Sequence, residues 1–217
     1  METAQLVQIA STIALLVVSL GVHEAAHAWM AYRCGDGTAR QLGRLTINPV
    51  AHIDPFMTII LPILLVVSGS PFLFGGAKPV PVNPLNLRHP LRDMMLVALA
   101  GPLSNVFLAC CFALLWKGLV YSGAYDLSAL LPQVIAQAMT FNLVLAIFNM
   151  IPIPPLDGSR IMAWLLPASV RETYVGLERF GMLIVFGLLF TGLFGTVIRG
   201  AMNPALDMVD YLTGGVW

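Results

Sequence analysis

The sequence predicts an all-α polytopic membrane protein with four or more transmembrane helices, and three observations carry that prediction. Of 217 residues, 58% are hydrophobic and 10% charged, with a mean hydropathy of +0.84; soluble domains run near 25% charged. Four apolar segments, 6–32, 94–116, 129–151 and 180–198, approach or exceed the roughly 20 residues a helix needs to cross about 30 Å of hydrocarbon. No length is left for a separate soluble module, so residues 1–217 read as a single domain.

The first segment follows Met1-Glu2-Thr3-Ala4-Gln5. It has no basic n-region and is too long for the apolar core of a cleavable signal, so it is expected to stay as a membrane helix. The stretch 34–91 is rich in Pro, Gly and Asn. Inside it the apolar run 56–69 is 14 residues long with Pro62 in its middle; it is expected to be re-entrant or to lie within the protein. Ala39–Asn48 and Lys78–Asn83 are expected to be short extended, β-like segments, since Pro79 and Pro81 remove donors and hold the chain extended. Cys110 and Cys111 are neighbours in an apolar helix and Cys34 stands alone, which makes no disulfide framework.

Charge placement bears on topology. If 56–69 does not cross, Arg33, Arg40, Arg44, Lys78, Arg88, Arg92, Arg160, Arg171 and Arg179 share one side against Lys117 and Arg199, nine to two. If it crosses, the same eleven charges divide five to six. The positive-inside rule favours the first arrangement, with the N-terminus outside and 34–91 and 152–179 cytoplasmic in a plasma membrane. The formal net charge is zero, the pI near 6.9, and no basic run occurs; nucleic-acid binding has no support.

His23-Glu24-Ala25-Ala26-His27 lies inside the first membrane helix. Two His four apart share one helical face, so both imidazoles can reach one cation, and Glu24 is close enough to touch a metal-bound water. That is the zincin pattern of His ligands and a Glu general base. Ionisable groups in hydrocarbon are costly and functional by default. With Arg33 at the interface, His27 and His23 lie about 9 and 15 Å above it at 1.5 Å per residue, nearer the cytoplasmic face. Water must then reach them through a polar cleft, which the irregular 34–91 stretch can wall.

Two His leave a catalytic zinc short of a ligand. His52, His89, Cys34 and the acidic residues are candidates, but Cys34 is about 10 Å along the helix from His27. Asp157 is the better one: Pro152, Pro154 and Pro155 end the third long helix, Gly158 permits a tight turn, and the segment emerges on the same side as His27. Its plainer role would be to cap a helix starting near Ser159. His52 and Asp54 support the site or, more simply, organise the loop before Pro55. His89 reads as interfacial, and the eleven Met residues as apolar filling.

Three motifs, His23-Glu24-Ala25-Ala26-His27, Gly101-Pro102-Leu103-Ser104-Asn105 and Asn149 through Pro154-Pro155-Leu156-Asp157-Gly158, resemble those of the site-2 protease family of intramembrane zinc metalloproteases. They occur in the family's order, one per core membrane helix. The resemblance implies one Zn2+ held by His23, His27 and Asp157, Glu24 as catalytic acid/base, and Asn105 facing the substrate or the cleft. It points to the compact branch without a PDZ or CBS domain. Asn105 and Asn149 have a plainer use as interhelical hydrogen-bond partners.

The implied partners are the lipid bilayer and a membrane-spanning protein or peptide. Helical carbonyls are already hydrogen-bonded, so cleavage requires local unwinding and favours substrates with helix-weakening residues; 39–48 or 78–83 could pair with the unwound strand. One rival is a non-proteolytic zinc-binding membrane protein acting as a partner or chaperone, against which stands the intact Glu24. Another is a transporter, for which neither paired broken helices nor internal repeats appear in the sequence.

Overall fold

A membrane-length helix opens the chain in the computed structural model, which describes residues 3–68, 75–123 and 129–214. The chain forms two compact units, 1–88 and 89–217.

In the first unit α1 (Thr3–Arg33) runs for 31 residues, about 46 Å at 1.5 Å per residue. Its Ala10–Arg33 portion has the length and hydropathy of a membrane span. Leu16, Leu20, His23, His27 and Ala31 are all buried. Their spacing of three and four puts them on one face, so the histidines continue an apolar stripe. The helix stops in a Schellman turn, Gly35 N–H to Tyr32 O and Asp36 N–H to Ala31 O. Against α1 pack a single-turn helix α2 (Thr38–Gln41), a 3-10 turn Pro49–His52 and a π turn Pro55–Ile60.

Two expectations for 34–91 change. Ala39–Asn48 is not an extended segment, because Asp36 accepts the Thr38 N–H and hydroxyl and so starts the helical turn α2. Lys78–Asn83 is extended but joins no ladder, and the described residues contain no β-strand. Through the apolar run 56–69 the chain is helical from Pro55 to Val67, six residues of π turn (Pro55–Ile60) followed by the seven of α3 (Leu61–Val67). Thirteen residues reach about 20 Å, short of a span. Residue 69 itself lies outside the described residues.

In the second unit α4 (Pro90–Ser122) and α5 (Leu130–Asn149) are both long and apolar enough to cross a membrane. They pack along each other through small buried residues, Ala98, Ala109 and Ala113 on α4 with Ala138 and Ala146 on α5, as membrane helices do where backbones approach closely. The outward side chains are apolar too: Phe107 is 67% exposed, which suits lipid rather than water.

Two short helices follow, α6 (Asp157–Leu165) and α7 (Ala168–Gly176), then α8 (Gly181–Phe190) and α9 (Leu193–Thr213). The expected continuous helix 180–198 is therefore broken. Gly192 takes a left-handed φ of 74°, a conformation glycine adopts without a Cβ penalty, and ends α8 two residues after Phe190. The helices either side of the break are bent by 79° and together are long and apolar enough for one broken span or a re-entrant loop. Val209 of α9 closes a core with Ala109, Ala113, Met139 and Leu143.

Candidate metal and catalytic site

His23, Glu24 and His27 offer ligand atoms that all lie within 4.8 Å of one another. The two Nε2 atoms are 3.0 Å apart, with the rings edge to face at a centroid distance of 4.5 Å. Two nitrogens bound to one tetrahedral zinc at 2.0–2.1 Å would stand about 3.3 Å apart, so a small outward movement of either ring fits the pair to a single ion. The α-helix makes this arrangement: residues four apart stack one turn above another, and neither histidine need leave the buried stripe. Both are at least nine-tenths buried, at 4% and 8% exposure. Two imidazole nitrogens on one helical face are donors suited to zinc, which takes a carboxylate oxygen beside them.

Glu24 turns away from the stripe toward the extended segment, where its Oε2 accepts the Val80 N–H at 2.8 Å. Both ends of that segment are tied. At one end the Lys78 N–H donates to His52 O at 2.9 Å, and the Arg44 guanidinium donates to Lys78 O. At the other the Asn83 N–H donates to Asp36 Oδ2 at 2.7 Å. Asp36 is fully buried and also accepts from Asn86 Nδ2. Burial works against its ionisation, but the hydrogen bonds from Thr38, Asn86 and the Asn83 N–H prevail and hold its carboxyl below the ordinary value of 3.8.

His52 and Asp54 organise their loop. His52 bonds Thr46 O through Nε2, and Asp54 caps the turn at Phe56 and Met57. In the second unit Asn105 is fully buried on α4 and donates to Asn142 of α5 at 2.9 Å, the interhelical use that the sequence left open beside substrate contact. Asn149 bonds back to Leu145 O within its own helix. Asp157 is the first residue of α6, and the cap position before it belongs to Leu156. A Cβ on Gly158 would stand 2.2 Å from Met150 O, so only glycine lets α6 start against that backbone. A cavity of ≈590 Å³ beside α4, α5 and α9 is lined by apolar residues such as Leu103, Leu143 and Met208, and offers no group for chemistry.

A family model described as Peptidase family M50 matches residues 11–129 and 119–192. The chain belongs to peptidase family M50. The resemblance to the site-2 proteases read from three motifs is thus borne out. Among M50 relatives, the "Putative zinc metalloprotease YwhC" of Bacillus subtilis is 39% identical over 208 residues, covering 93% of this chain and 90% of that protein. The "Putative zinc metalloprotease Rip2" of Mycolicibacterium smegmatis is 29% identical over 187 residues, 81% of this chain and 64% of its own length. One from Methanocaldococcus jannaschii, MJ0611, is 36% identical over 102 residues, 47% of this chain and 48% of that one. No solved structure matches.

In this M50 protein the sequence reading missed Asp36, Arg44 and the Val80 amide. Asp36-Gly37-Thr38 carries a local turn signal. Nothing local announces its bond to Asn83, 47 residues away.

Proposed function

We propose that this M50 membrane protein is an intramembrane zinc metalloprotease that hydrolyses peptide bonds in or near the transmembrane segments of other membrane proteins. The observation that carries the reading is the convergence of His23, Glu24 and His27 within 4.8 Å on a helix of membrane length. Structural metal sites have no need of the adjacent carboxylate. The relatives' names speak of zinc and proteolysis for those proteins, and the donor set here agrees with them.

His23 and His27 hold the zinc, with Asp157 as the third ligand. That role for Asp157 rests on its place in the third family motif and on the close packing at Gly158, which fixes the start of α6. When bound, zinc supplies Lewis acidity, acidifying a water and polarising the scissile carbonyl. Glu24 takes the proton from the attacking water and returns it to the leaving amine. For Asn105 a substrate role requires that its bond to Asn142 yield, so it acts first by holding α4 to α5. The first matched stretch, 11–129, runs across the division at residue 88 and supports one functional domain.

The test is cleavage of a single-span peptide by the purified full chain in lipid, with zinc content measured alongside. Glu24→Gln should keep one zinc per chain and lose at least 100-fold in kcat, within the range of general acid–base catalysis. Equal cleavage by both proteins overturns the proteolytic reading, and a metal-free wild type overturns the site.

A further inference from the structure

Glu24 must present its carboxylate to a water at a fixed place, and a lone Glu side chain has three rotatable bonds with which to wander. One oxygen, Oε2, is committed to the Val80 N–H at 2.8 Å. This donor belongs to the main chain of a segment that holds prolines on either side of it, Pro79 and Pro81, which fix φ and keep the chain extended. In an extended chain alternate residues turn their N–H groups the same way. Lys78 and Val80 accordingly both find inward acceptors, His52 O and Glu24 Oε2. The intervening prolines have no N–H to strand on the opposite side.

The segment is pinned by buried charge at both ends. Asp36, at 0% exposure, receives the Asn83 N–H and the Asn86 side chain. Arg44, at 7% exposure, donates to Lys78 O and approaches His52 Nδ1 at 3.4 Å. Arg44 has no carboxylate partner among the described residues. Burying a guanidinium without a counter-ion is costly, and the burial of Arg44 against one loop carbonyl marks a loop whose place matters.

We infer that the Val80 main-chain N–H is the positioning group for Glu24, held on target by Asp36 at one end of Lys78–Asn83 and by Arg44 with His52 at the other. The inference rests on the proteolytic reading of Glu24 and adds a part to it. Val80 acts through Glu24 and is a positioning residue. Its side chain is immaterial; the amide hydrogen is what counts.

The backbone donor can be removed by proline, which suits an extended position flanked by prolines. Val80→Pro deletes the bond to Glu24. Val82→Pro makes the same chemical change two residues on, at an N–H that bonds no described residue. In the full chain in lipid, Val80→Pro should lower kcat tenfold or more with zinc content unchanged, while Val82→Pro, which leaves the Val80 N–H in place, keeps kcat within twofold of wild type whatever it does to KM. An independent reading needs no turnover: amide hydrogen exchange at Val80 should speed up tenfold or more in Glu24→Ala, with exchange at Lys78 unchanged. Equal kcat for the two proline variants overturns the inference, even where Glu24→Gln is dead and the proteolytic reading holds. Should Val80→Pro fail to fold, the exchange measurement decides alone, and an unchanged rate at Val80 overturns it.

Discussion

Asp36 gathers four hydrogen bonds: two from Thr38, one from the Asn83 N–H and one from Asn86. All four favour the ionised form, which is why its pKa lies below 3.8 despite full burial. A carboxyl whose folded pKa is lower than its unfolded one stabilises fully above the unfolded value, and that contribution fades as pH falls through the folded value. Asp36→Asn should therefore cost about 1.5–3 kcal/mol near pH 6, the usual worth of hydrogen bonds to a charged group. The gap between variant and wild type should close below about pH 4, near the unfolded pKa of an aspartate. Thermal unfolding across pH 3 to 6 measures it, and a gap independent of pH would remove the ionised Asp36 from the account. The histidine pair, by contrast, is a local matter. Its 3.0 Å approach follows from four-residue spacing on a helix, so the sequence alone could place it.

Elements with a local cause were legible, and those with a distant one were not. Hydropathy and length located α1, α4 and α5, since crossing a membrane is a requirement each helix meets by itself. The break between α8 and α9 escaped, because hydropathy has no direction and nothing in the run marks Gly192 out from its other glycines, Gly181, Gly187 and Gly195; the left-handed φ of Gly192 is what turns the chain. Ala39–Asn48 was misread for a similar reason: Asp36, just outside the stretch, starts the helical turn. At α6 the sequence suggested a tight turn at Gly158, whereas the decisive fact is contact. Its missing Cβ admits Met150 O, to which an added Cβ would stand at 2.2 Å. Gly158→Ala must push the start of α6 away, carrying Asp157 with it. A stability loss of about 1–3 kcal/mol is expected from such overpacking, together with at least a tenfold weaker grip on zinc by competition with a chelator. Wild-type zinc affinity in a folded Gly158→Ala protein would count against Asp157 as a ligand.

The whole molecule has to be oriented in its bilayer, and two kinds of observation bear on that. The stretch 55–67 forms thirteen residues of helix, a π turn and then α3, too short to span, which favours the count in which 56–69 does not cross. Nine of the eleven Lys and Arg residues then share the cytoplasmic side. On this topology α4 carries the chain outward and α5 carries it back, so Ser122 at the end of α4 faces outside and Glu172 in α7 faces the cytoplasm. Both residues are exposed, so cysteines placed there will react without unfolding. In intact cells, with the native cysteines replaced, Ser122→Cys should label with a membrane-impermeant thiol reagent, and Glu172→Cys only after lysis. The reverse pattern would put the HisGlu helix the other way up and open Glu24 to the outer face, and labelling of both sites in intact cells would mean that α5 does not cross.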